Sequence, residues 1–404
     1  MRIRSIRRLA VSRLVPPFAA AVVLLSACGG GGDSGSTGTS VSATGTRSYA
    51  AGTISGFGSV IVNGVRFDNS TATVSDDDGQ AAAADNLRLG MRVEIQGGAV
   101  HDDGTGPRAE ASAIRFGSEL VGRVSALDAT AKSLVIVNQT VLVTDTTVID
   151  DRLAGGFAGI TVGSVLEVHG TRDATTGTIT ATRIEPIAAV ASFKLRGPVA
   201  NLDTTAKTFT IGAALVSYAG VTSVPTNLAN GVVVRVRVQP AQAAGAWVAT
   251  RLDVAGPHVD DADAAEIEGS ITAFTSSTSF SVNGIAVDAS KATFPNGTAG
   301  IVLGARVEVH GTSSNGVVTA TEVKVETNAE RHAEGFELHG GLATIDTTAK
   351  TFVLRGVIVS YASAAIDFRN GTAAMLVPGV QIEVRGTLSA DGTMLQATRI
   401  SFGD

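Results

Sequence analysis

Gly52-Thr53-Ile54-Ser55-Gly56-Phe57-Gly58-Ser59-Val60-Ile61-Val62-Asn63-Gly64-Val65 reads as two strands folded on a tight turn. A glycine opens the stretch, and β-branched residues fill Val60-Ile61-Val62. Asn63-Gly64 supplies the pair that a two-residue hairpin needs, because both of its central positions take positive φ. Asn283-Gly284, after Phe280-Ser281-Val282, repeats the signal.

The same opening, Gly-x-[Ile/Val/Leu]-x-x-[Phe/Leu/Ile], stands at 52–57, 122–127, 197–202, 269–274 and 340–345. A closing phrase, Ala-[Ser/Thr]-x-[Ile/Leu/Val], stands at Ala111, Ala181, Ala249, Ala320 and Ala397, in steps of 70, 68, 71 and 77 residues. Self-similarity at a near-constant period means one supersecondary unit copied in tandem. Between these phrases lies Gly-x-x-[Val/Leu/Ile]-Glu-[Ile/Val]-x-Gly, centred on Glu94, Glu167, Glu308 and Glu383. The third copy departs from it, with Arg235 in the glutamate's place and Val238 in the last glycine's.

Three copies share a first turn: Leu127-Asp128-Ala129-Thr130-Ala131-Lys132, Leu202-Asp203-Thr204-Thr205-Ala206-Lys207 and Ile345-Asp346-Thr347-Thr348-Ala349-Lys350. Asp and Thr side chains bond nearby backbone amides and fix tight loops, so this is turn chemistry. Each copy therefore predicts strand, strand, strand, a short helix or loop, strand, strand: a small closed barrel. The fold class is all-β, with five tandem barrels at 51–118, 119–191, 192–258, 264–328 and 334–404. The seams fall at 188–192, 255–266 and 327–335, and the last two carry charge and read as hinges in a string of modules.

Gly56 to Val65, followed by Leu89-Gly90-Met91-Arg92-Val93-Glu94-Ile95, resembles domain-of-unknown-function family five-six-six-six. The resemblance implies tandem copies in a bacterial lipoprotein, and units like the oligonucleotide/oligosaccharide-binding barrel. It brings no activity and no functional residues.

The amino terminus predicts export. Residues 1–27 hold Arg2, Arg4, Arg7, Arg8 and Arg13 with no acid, then an apolar run at 18–25. That is a signal peptide, too short to span a membrane. Leu25-Ser26-Ala27-Cys28 resembles a lipobox, which implies cleavage before Cys28 and its acylation, palmitate included. Gly29 after that cysteine resembles outer-membrane sorting in Gram-negative bacteria. Residues 28–50 form a Gly/Ser/Thr tether with a reach of about 25 Å. Gly32-Asp33-Ser34-Gly35 within it mimics a serine-nucleophile motif, but a tether holds no base against the serine. As the only cysteine, Cys28 excludes a disulfide framework.

Losing the signal's five arginines takes the formal charge from −6 to −11, a field that repels phosphate backbones. Only 18 aromatics spread over five barrels leave little for base stacking, so nucleic acid is not an expected partner.

Alternation sends Glu94, Glu167, Glu308 and Glu383 outward, one per barrel, as solvent-facing side chains. His169 and His310 share a repeat position two residues beyond Glu167 and Glu308; with no third ligand legible, no metal site is assigned. His101, His258, His332 and His339 show no ligand spacing. Asp76-Asp77-Asp78 and Asp260-Asp261-Asp263-Glu266 lack the spacing of a calcium loop and read as solvated loops. No catalytic or cofactor-binding set stands out. The functional expectation is a non-enzymatic, lipid-anchored envelope protein for adhesion, scaffolding or binding of a glycan or protein. Its alternatives are an envelope-polymer enzyme with a site around Arg235, Arg237 and Trp247, and a weak divalent-metal or stress-linked periplasmic binder.

Overall fold

The strand Leu120–Asp128 pairs antiparallel with Ser133–Ile136, which turns back into Gln139–Leu142. That third strand runs parallel to the last strand, Ile179–Pro186. Val165–Arg172 lies antiparallel between the last strand and the first, and closes the ring. The order first-second-third-fifth-fourth-first is a closed five-stranded barrel, with the short 3-10 turn Gly156–Gly159 between the third and fourth strands. The other four copies have the same order.

This computed structural model describes residues 47–104, 106–188, 190–327 and 335–403, all within the unit Ser42–Asp404. The signal peptide, most of the tether, Cys28 and His332 lie outside the described residues. Among the described residues no helix is long and apolar enough to cross a membrane.

The turn chemistry follows the sequence. Asn63 and Gly64 have φ of 51° and 79°, and Asn283 and Gly284 have 49° and 88°. Asp128 Oδ1 accepts from the amides of Thr130 and Ala131, both at 2.9 Å, and Asp203 and Asp346 do the same in their copies. The opening glycine has a steric reason in copies one and four: a Cβ on Gly269 would sit 1.7 Å from Asn283 Nδ2, and one on Gly52 2.0 Å from Asn63 Oδ1. The hairpin asparagine folds across a place that only glycine leaves open.

Relations between copies depart from a hinged string. The first strand of copy one, Ser48–Phe57, pairs in parallel through Ser48–Ala51 with residues 264–267 of copy four. Its other end, Gly56 and Phe57, pairs with Glu337 and Leu338 of copy five. These three barrels share one 19-stranded sheet. Copies two and three share a 12-stranded sheet, joined where Leu120 and Val121 meet Leu195 and Lys194. The 255–266 seam is accordingly no free hinge, since its end already belongs to the strand Ala262–Ser276.

The cores merge as well. Ile54, Phe67 and Ile114 of copy one belong to one buried cluster with Leu338, Phe352 and Ile400 of copy five. Leu134 and Leu166 of copy two join Phe209 and Val236 of copy three. Tyr49 and Ala51 lie in the cluster of copy four. A barrel of some 60 residues buries too little apolar surface to be more than marginal alone. Each large apolar side chain moved from water to a shared core contributes about 1.5–3 kcal/mol.

Candidate functional site

One outer position recurs in every barrel. It comprises the residue three before the opening glycine, the motif glutamate, and the residue two beyond that glutamate. Copy two places Glu119, Glu167 and His169 there; copy four, Glu266, Glu308 and His310; copy five, Glu337, Glu383 and Arg385. Copy three replaces the whole set with Lys194, Arg235 and Arg237. The reversal has a partner, the Asp77-Asp78 turn of copy one. Lys194 Nζ lies 2.8 Å from Asp77 Oδ2, Arg235 Nε lies 2.8 Å from Asp78 Oδ1, and Arg237 also pairs with Asp78.

These charges are enclosed: the side chains of Lys194, Arg235 and Asp78 are 4%, 6% and 10% exposed. Burial raises the Asp78 pKa, but its hydrogen bond from Arg237 and the charge of Arg235 outweigh that and hold it below its usual value. The solvated-loop reading of Asp76-Asp77-Asp78 is thus corrected, since a loop that looks acidic in isolation docks on a basic face 117 residues away. Arg235, the departure that marked copy three, is engaged by that loop. Trp247 packs edge-on against Phe193 with ring centroids 6.1 Å apart and donates Nε1–H to Asn138 Oδ1 at 2.9 Å.

The glutamates also need correction. They point away from their own cores as alternation requires, and all four are only partly exposed. Glu94 and Glu167 face residues of other copies, whereas Glu308 meets His310, and Glu383 meets His339 and Arg385, within its own barrel. Glu94 accepts the His258 amide at 3.2 Å. Burial raises its pKa, opposed by that bond and by Arg115.

The histidines divide. His169 is fully buried; its Nδ1–H donates to the Gly117 carbonyl at 2.9 Å, and its Nε2 faces Glu185 at 3.8 Å. Burial raises the Glu185 pKa, but His169 and Arg183 outweigh it and bring the carboxyl down to about 2. His310 joins Glu266 and Glu308, with three ligand atoms within 4.8 Å of one another. His339, which carries no ligand spacing in sequence, joins Glu337 and Glu383 in the same way. Arg66 and Arg385 already neutralise Glu337 in that second group.

A cavity of about 470 Å³ opens where copies one to four converge. Arg92, Glu94 and Arg115 enter it from copy one, Arg172 from copy two, and Arg196 from copy three. Arg196 is tied to Glu119 at 2.7 Å and to the Ala255 carbonyl at 3.1 Å; burial lowers its pKa, but Glu119 more than restores it. Arg172 spends Nη1 and Nη2 on Gln139, Gly177 and the Arg196 carbonyl, while its Nε is buried without a partner. Arg92 Nη1 is also buried without one. Burial, with Arg306 nearby, lowers the Arg92 pKa to about 10.

Sequence reasoning passed over this cavity because its walls come from four copies. One signal was available: the charge at the outer position, compared copy against copy, marks the third as complementary to an acidic loop.

Fold and site together define a tandem array of five closed β-barrels whose outer faces are turned on one another. The chain belongs to the family of the domain of unknown function (DUF5666), which matches residues 51–105, 121–185, 196–253, 268–324 and 340–401. No curated protein matches it.

Proposed function

We propose that this is a non-catalytic, lipid-anchored protein of the cell envelope. Its barrels act together as a stiff scaffold that presents loops to an envelope glycan or protein. One observation supports this reading above the rest: the basic set that copy three carries at the repeated outer position, Lys194, Arg235 and Arg237, is taken up by Asp77 and Asp78 of another barrel. The lipobox at Cys28 and Gly29 behind it favour a Gram-negative outer membrane. Each methylene of an acyl chain there adds about 0.8 kcal/mol of membrane affinity.

Palmitate labelling of cells making the full chain or its Cys28→Ala variant tests the anchor. Label on the first and none on the second, with the variant in the soluble fraction, is the expected result. Equal labelling contradicts it. Glycan arrays and pull-downs with the Cys28→Ala protein test the binding role, for which saturable capture of one glycan or envelope protein is expected; clean negatives would reduce the protein to a spacer.

The cluster of Glu266, Glu308 and His310 favours a second reading, weak binding of a divalent metal. Calorimetry with Zn²⁺ and Ca²⁺ supports that reading if heat appears and is lost in His310→Ala, and opposes it if there is none.

A further inference from the structure

The fourth barrel shows what the first has given up. Arg306 and Arg92 stand at the same repeat position, two residues after the positive-φ glycines Gly304 and Gly90. Their strands are held alike: Arg306 pairs with Ser270 and Arg92 with Thr53, each directly after the opening glycine. The Glu326 amide donates to the Arg306 carbonyl at 3.0 Å, and the Gly117 amide to the Arg92 carbonyl at 3.4 Å. In copy four two carboxylates neutralise the guanidinium, Glu268 by direct contact and Glu326 at 2.7 Å. The equivalent residues of copy one are Ala51 and Gly117. Both line the central cavity.

Loss of the two counterions therefore leaves Arg92 without an ion-pair partner among the described residues. Ala51 lines the cavity where copy four has Glu268, while the side of Gly117 is filled by Asp77, which a Cβ there would meet at 2.8 Å. A buried guanidinium with unmade hydrogen bonds is costly, because desolvation is not repaid by a partner. Arg172, which lines the cavity from copy two, adds a second unpartnered N–H. Among the described residues Glu94 is the one acid lining the cavity without an ion-pair partner, and it feels the charges of Arg115, Arg196 and Arg92.

We infer that the cavity is a binding site for a small organic oxyanion, a carboxylate- or phosphate-bearing molecule of about monosaccharide size. Its anionic group takes the place at Arg92 that Glu268 fills at Arg306. The planar fork of Arg92 suits two-point recognition of either group. A volume of about 470 Å³ lies in the range of small-molecule sites. Apolar walls from Pro198, Val233 and Val254 fit the carbon frame of such a ligand better than a bare ion. This site goes beyond the scaffold reading and does not depend on it.

Calorimetric titration of the full-length protein in detergent is the test, with glucuronate, glucose 6-phosphate and inorganic phosphate as probes and glucose as the neutral control. At least one anion gives a saturable heat, and glucose gives none. Response to glucuronate alone marks a carboxylate site; response to the phosphates alone marks a phosphoryl site. Ala51→Glu, which returns the internal counterion, weakens binding by at least about tenfold. Glu94→Gln tightens it several-fold by removing a like charge. Arg92→Met abolishes binding while the unliganded protein melts no lower than the parent, since an unpaired buried charge has been removed. Silence from all three anions, equal binding of glucose, or undiminished binding by Ala51→Glu overturns the inference.

Discussion

Asn63 donates from Nδ2 to the main-chain oxygen of Glu266, 203 residues away in sequence, at 3.3 Å. The same amide reaches Ala51 of its own barrel at 3.4 Å. A residue placed by the needs of a local hairpin therefore also fastens copy one to copy four. Replacing it by glycine keeps the positive φ of the turn and removes only the side-chain bonds. Asn63→Gly is expected to lower stability by about 1 kcal/mol, read as a shift of the denaturant midpoint. No shift would mean that the link contributes nothing.

Gly269 has the matching role inside copy four. Asn283 crosses it, donating to the Glu268 carbonyl at 3.1 Å and accepting from the Ser270 amide at 3.3 Å. A methyl group there collides with that side chain, so Gly269→Ala should cost about 1–3 kcal/mol. Adding Asn283→Gly removes the obstacle and should recover part of the loss. Thermal melting of both variants checks this, and strictly additive losses would rule the collision out.

Glu185 sets an acid limit. Its folded pKa of about 2 lies below the unfolded value of 4.5, so its contribution is fully present above pH 4.5 and is lost as pH falls toward 2. The size is about 3 kcal/mol for a carboxyl shifted that far. Glu185→Gln should be less stable than the parent at pH 7 and close to it near pH 2. A difference independent of pH would contradict the buried His169–Glu185–Arg183 arrangement.

The barrels were legible because their determinants are local. The β-branched run Val60-Ile61-Val62, the Asn-Gly turns and the Asp128, Asp203 and Asp346 loops each act within a few residues, and each formed as read. The contacts between barrels were not legible, because a side chain leaving a strand outward carries no mark of what will cover it. Glu94 and Asp77 read as solvent-facing for that reason, and pairing of Ser48–Ala51 with copy four has no local signature. The charge reversal at Lys194, Arg235 and Arg237 was visible in the chain, but its meaning depended on knowing that Asp77 and Asp78 lie opposite.

The central claim, that the copies interlock through their outer faces, is tested most directly by a double-mutant cycle on Asp77 and Lys194. Lys194 is buried and Asp77 Oδ2 stands 2.8 Å from its Nζ. Asp77→Ala alone should cost about 3 kcal/mol or more, because it strands that buried ammonium. Combined with Lys194→Met, much of the loss should return, giving a coupling energy of at least about 1.5 kcal/mol. Losses that add to within about 0.5 kcal/mol would mean that the two residues do not meet, and that the barrels stand apart.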